Sequence, residues 1–116
     1  AVPEMPLEKR IGASDIVVLG TVIRLDDVET TGIATVRVSR ALKGAPPETI
    51  RFVYRSGIAE LDPRCCVIGD TYLLMLRQGR DAVYESTNGP HGVIDVGTQD
   101  RPSASPSRAV TWPGAR

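Results

Sequence analysis

The residues best equipped for chemistry in this chain are two adjacent cysteines, Cys65 and Cys66, the single histidine, His91, and a short acidic group, Asp26, Asp27 and Glu29. A thiolate is both a nucleophile and a soft metal ligand. Zinc takes three or four ligands, so two cysteines and one histidine serve only if the fold gathers them. Along a strand, neighbouring side chains point to opposite faces, which keeps adjacent sulfurs from sharing one ion. Four readings of the pair stay open: a redox or metal site, two ordinary thiols with one facing in and one out, a bridge to a second chain, or a disulfide between the two neighbours. An exposed free thiol is a liability in an oxidising compartment, so at least one of the two is expected to be buried or paired. His91 stands in "NGPHGV". General acid–base work needs a partner at hydrogen-bond distance, whereas the surrounding Gly and Pro read as an exposed loop. The acidic residues lie beside a turn and read as a solvated one. No nucleophile elbow, phosphate loop, calcium loop or paired-histidine motif occurs. The expectation is a protein without enzymatic activity, metal or cofactor.

The elements that must position these residues follow from hydrophobic period. "MPLEKRIGAS" reads as a short helix, with Pro6 suited to the helix start, Leu7 and Ile11 on one face and Gly12 as a stop. About two turns are marginal alone, so the helix should lean on something else. "DIVVLGTVIRLDDV" then switches to period two, and Gly20 within it marks a bulge or bend. After the "ETTG" turn, "IATVRVSRAL" puts Ala34, Val36, Val38 and Leu42 on one face and Thr35, Arg37 and Ser39 on the other. "KGAPPE" breaks the chain. "TIRFVYR" alternates again, with Ile50, Phe52 and Tyr54 inward and Arg51, Val53 and Arg55 outward. Residues 56–64 are irregular. "TYLLMLR" is apolar on both faces and should be a central strand, followed by a "GRD" turn, the short strand "AVYES", the loop "TNGPHG" and the last strand "VIDV". Five or six antiparallel strands with an early bend are best closed into a small barrel, because closure removes exposed edges. The expected class is therefore mostly β, an OB-like (oligonucleotide/oligosaccharide-binding type) barrel with a short N-terminal helix. The barrel domain spans residues 1–96, and the Pro- and Ser-containing stretch 97–116 reads as a flexible tail.

Composition bounds the partners. The chain of 116 residues carries 14 basic and 14 acidic side chains and is formally neutral, so it has no overall electrostatic footprint for nucleic acid or anionic lipid. Arg51 and Arg55 on an outer face, without exposed aromatics, make a weak groove for bases. No apolar run is long enough to cross a bilayer. The start "AVPEMPLEKR" fits a mature secreted or periplasmic chain, or a trimmed one.

The segments "SDIVVLGTVI", "ALKG", "IRFVYRSG…RCC" and "GDTYLLML" occur in the order seen in the netrin-like, tissue-inhibitor-of-metalloproteinases superfamily, and the chain resembles a divergent, bacterial-type member of it. The matching features are Ser14 to Val17, the turn Lys43-Gly44, Cys65 or Cys66 before a loop, Gly69 to Leu74, and the closing "GPHGVIDV". The resemblance covers roughly Leu7 to Val96 and implies an OB-like barrel. It also implies a contact surface made of the N-terminal ridge and neighbouring loops, here Ala1, Val2, Pro3 and the residues around Cys65 and Cys66. The family's inhibitors begin with Cys-x-Cys, which chelates the protease zinc and is held by a disulfide to the Cys before the "Y-L" strand. This chain begins "AVP", so that anchor is missing and strong metalloproteinase inhibition is not expected. The expected role is binding another protein through the rim loops: the N-terminal segment, residues 56–64, and residues 87–91 with His91. The alternative is single-stranded nucleic-acid or oligosaccharide binding on the barrel face.

Overall fold

The computed structural model describes residues 2–97. Of the tail expected over residues 97–116, Gly97 instead ends the last strand, and residues 98–116 lie outside the described residues, as does Ala1. A six-residue helix, α1 (Leu7–Gly12), precedes six strands: β1 (Ile16–Val28), β2 (Thr31–Lys43), β3 (Thr49–Arg55), β4 (Thr71–Gln78), β5 (Tyr84–Ser86) and β6 (Val93–Gly97). The sheet runs β1-β2-β3-β5-β4, and β1 also pairs with β4, which closes five strands into a barrel. The sixth strand adds to β4. All pairings are antiparallel except β3 with β5. The chain thus forms the mostly-β, OB-like barrel that its alternation predicts. Among the described residues no helix is long and apolar enough to cross a membrane.

Period two explains the interior. Ile16, Val18 and Val22 from β1, Ala34 and Val36 from β2, Ile50 and Phe52 from β3, and Tyr72, Leu74 and Leu76 from β4 form one buried cluster with Val93. β4 has neighbours on both edges: β1 along Thr71 to Leu76, then β6 beside its first half and β5 beside its end. Its reverse face is covered too, since Met75, opposite Val17, is fully buried. That is why this strand is apolar on both sides.

Bulges set the curvature and correct two expectations. The β1–β2 register slips between Leu19 and Gly20, as the isolated glycine predicts, and again at Val17/Val18 and Val22/Arg24. A side chain at Gly20 would collide with that of Val36 and approach the Arg37 carbonyl oxygen to 3.1 Å. Leu42 was expected inside with Val38, yet it is the extra residue of one bulge and is 52 % exposed. Each inserted residue inverts the alternation that follows it. The helix also docks differently from its apolar pattern. Leu7 and Ile11 are 50 % and 37 % exposed, while Arg10 is the helix residue that is buried, at 5 %. Lys43 completes the helix end by donating from Nζ to the carbonyls of Ile11 at 3.0 Å and Gly12 at 3.3 Å.

Candidate functional site

At one rim of the barrel the chain start is tied down by residues nearly a full sequence length away. Asn88 holds the left-handed conformation (φ 63°) ahead of a 3-10 turn at Gly89–His91, a backbone state that Asn tolerates better than most residues. That turn aims the Asn88 amide at the N-terminal segment. Its Oδ1 accepts from the Met5 N–H at 2.7 Å, and its Nδ2 donates to the Pro3 carbonyl at 3.1 Å. His91 donates from Nε2 to the Val2 carbonyl at 2.8 Å. The Arg10 guanidinium lies beneath. It donates from Nη1 to the His91 carbonyl at 2.7 Å, from Nη2 and Nε to the Met5 carbonyl at 2.8 and 3.1 Å, and from Nη2 to Glu4 at 3.0 Å. A fork of donors around one planar cation suits this triple task, which a lysine could not perform. Ser14 continues the network, donating to the Arg10 carbonyl at 2.7 Å and meeting Thr87 Oγ1 at 2.9 Å.

Residues 87–92 are fixed in turn against β4. The Thr87 N–H donates to the Met75 carbonyl, and the Met75 N–H to the Gly92 carbonyl. Gly92 has no room for a side chain, because a Cβ there would meet the Thr87 amide nitrogen at 2.9 Å and the Ser86 hydroxyl closer still. The loop 56–64 abuts the same turn: its 3-10 segment Ala59–Leu61 contacts Gly89–His91. The loop is held internally by Asp62, which accepts from the Ser56 N–H at 2.8 Å and the Ser56 hydroxyl at 2.6 Å. It leaves Ile58 and Leu61 substantially exposed.

The sequence-predicted residues therefore separate into two groups. Val2, Pro3 and His91 meet at this rim, and the three segments expected to form it are contiguous. Cys65 and Cys66 do not sit on a strand but in the loop before β4, so strand alternation does not separate their sulfurs. They are bonded to each other, half-buried and packed against the barrel core. Among the described residues no group of three or more His, Cys, Asp and Glu is placed to hold a metal ion. The acidic residues near the β1–β2 turn are engaged individually. Asp26 pairs with Arg24 at 2.9 Å, and Asp27 accepts from the Tyr54 hydroxyl at 2.5 Å and lies 3.4 Å from Arg55 Nη2.

That last contact sets a pH dependence. The hydrogen bond to Asp27 raises the Tyr54 pKa above the ordinary tyrosine value, partial burial and the Asp27 charge add to the rise, and Arg55 works against it. The unfolded chain thus releases this proton before the folded one does. The contribution is fully present below a pH of about 10 and is lost as pH climbs through the folded-state value. Stability measured by urea denaturation is expected to fall more steeply above that pH in the native chain than in Tyr54→Phe. Matching slopes would show that the bond is not formed in solution.

Arg10 and Asn88 were not singled out by sequence reasoning, nor were the exposed arginines Arg24, Arg37 and Arg40 that the register brings to the same barrel face as Arg51. Asn-Gly at 88–89 is a turn signal that could have flagged Asn88; an arginine within an apolar-spaced helix offers none. Comparison of the chain with protein-family models and with curated proteins found no match to either.

Proposed function

We propose that the protein is a non-enzymatic, extracytoplasmic binding module that recognises another protein through this rim. The observation that carries the reading is the anchoring of the chain start. Val2 to Met5 form no regular secondary structure and would be free to fray, yet they are held by Asn88, His91 and Arg10. Ordering a segment before a partner arrives removes an entropy cost from binding. The anchored segment lies beside the 87–91 turn, whose other neighbour carries exposed Ile58 and Leu61, the mixed apolar and polar surface of a transient protein interface. In the netrin-like resemblance, this hydrogen-bonded strap stands where the family's inhibitors use a disulfide. The strap itself, Val2 to Met5, contains no cysteine.

Photo-crosslinking tests the proposal. A photoreactive residue placed at Pro3, Ile58 or Leu61 is expected to capture one and the same partner in the native compartment. The same residue at Asp81, in the turn between β4 and β5, should not. Capture with equal efficiency from Asp81, or from none of the rim positions, would remove the rim as a recognition surface. In parallel, a metalloproteinase panel should remain uninhibited at high micromolar concentration.

A further inference from the structure

The outer face of β1, β2 and β3 concentrates positive charge that the neutral composition conceals. In the register, Arg24 and Arg51 flank Thr35 from either side, and Arg37 stands between Thr21 and Thr49. Arg40, opposite Leu19, continues the row. All four arginines are exposed. Strands two apart in a sheet are separated by about 10 Å, and alternate residues along a strand by about 7 Å. Arg24, Arg37 and Arg51 therefore lie roughly 8–10 Å apart, comparable to the Debye length of about 8 Å at physiological salt, and act on a ligand together. Asp26, in the row beside Ile33, is bound to Arg24. Arg55 is engaged by Asp27, and Glu85, across β3 beside Val53, by Arg77 at 3.6 Å. Arg37, Arg40 and Arg51 have no such partner among the described residues.

We propose that this face binds a linear sulfated polysaccharide, at a site separate from the rim. Guanidinium forks match the planar pair of oxygens that a sulfate or carboxylate presents. Three considerations select the polymer. The cations are spread over three strands rather than gathered in a pocket, which fits a chain of repeated anionic groups better than a single small anion. The Thr35 and Thr49 hydroxyls between them suit sugar hydroxyl groups. Finally, among the described residues the face carries no aromatic side chain: Phe52 and Tyr72 are inside the barrel, Tyr84 packs against the core, and Tyr54 packs there too with its hydroxyl on Asp27. Single-stranded nucleic-acid sites gain about 1–3 kcal/mol per base from aromatic stacking, which none of the described residues on this face supplies.

Binding of the full chain to heparin, to chemically desulfated heparin and to a single-stranded oligonucleotide of matched charge, each followed across a salt series, tests the assignment. Heparin is expected to bind saturably, with at least about tenfold lower affinity for the other two. In Arg37→Ser/Arg51→Ser the heparin affinity should drop, and the slope of log affinity against log salt should become shallower by about two. Thermal melts of that variant and of the single Arg37→Glu should match the native chain, since both side chains are solvent-facing. No heparin binding at low salt, or binding unchanged in the folded double variant, would overturn the proposal. Equal or tighter binding of the oligonucleotide would assign the face to nucleic acid instead.

Discussion

Phe52→Ala is expected to destabilise the protein by about 4 kcal/mol, the range for truncating a fully buried aromatic. Phe52 is wholly inaccessible to solvent and sits opposite Ala34 on β2. Ala34 is too small to fill the space left behind. On its other side Phe52 pairs with Tyr84, and Val53 with Glu85 completes the parallel β3–β5 contact. Two residue pairs make a short ladder, so the closure of the barrel depends heavily on the side chains packed inside it. The loss would take a large part of the roughly 5–15 kcal/mol that holds a domain together. The melting temperature should fall by roughly 15–30 °C, and the urea midpoint should drop with little change in slope. Phe52→Leu keeps most of the volume and should cost about 1 kcal/mol. A loss below about 1 kcal/mol for the alanine variant would mean that the barrel does not close around this ring.

The barrel was legible because local alternation carries it. In "TIRFVYR" and "IATVRV" each inward residue is apolar and most outward residues are polar, and those strands pair as the pattern requires. β4 announced its central place by having no polar face. What alternation cannot carry is an inserted residue. Leu42 fits the apolar phase of β2 by counting, but the bulge at Leu19/Gly20 shifts that phase before it is reached, and Leu42 is itself the extra residue at Val17/Val18. Alternation alone placed Arg37 and Arg51 outward, but Arg24 and Arg40 were missed for the same reason, since each follows an inserted residue. Arg24 follows the unpaired Ile23, and only the resulting register brings it beside Thr35 and opposite Arg51. For Cys65 and Cys66, the argument that adjacent side chains diverge holds for extended backbone, and these residues lie in a loop. The rim loops could be named from sequence because each is bounded by Gly, Pro or Asn. Their fastening could not, since Met5 and Asn88 are 83 residues apart and a single sequence has no signal for so distant a hydrogen bond.

Arg10→Met should release the chain start and cost about 3 kcal/mol, at the lower end of the range for breaking a buried charged network. Methionine matches the length of the arginine stem, so packing is largely kept and the effect isolates the guanidinium. Its removal leaves the carbonyls of Met5 and His91 without their donor, and an unmade hydrogen bond to a charged partner costs about 1.5–3 kcal/mol. Most of that comes from the two carbonyls. The Glu4 carboxylate is 65 % exposed, and a surface ion pair contributes at most about 1 kcal/mol, so Glu4→Gln should be nearly silent. Asn88→Ala removes the bonds to Met5 and Pro3 and should cost about 1–2 kcal/mol. Because Met5 is gripped by both residues, through its N–H by Asn88 and its carbonyl by Arg10, the two losses should not add. The double variant should lie above the sum in stability, because a segment already released has little left to lose. Hydrogen exchange at the Met5 amide reads the same event directly. It should be protected in the native chain, exchange rapidly in either variant, and recover only in part in Arg10→Lys, which restores one ammonium where a fork is needed. Additive costs with Met5 still protected in both single variants would mean that helix packing, rather than the strap, holds the segment. The rim would then have to be ordered by its partner.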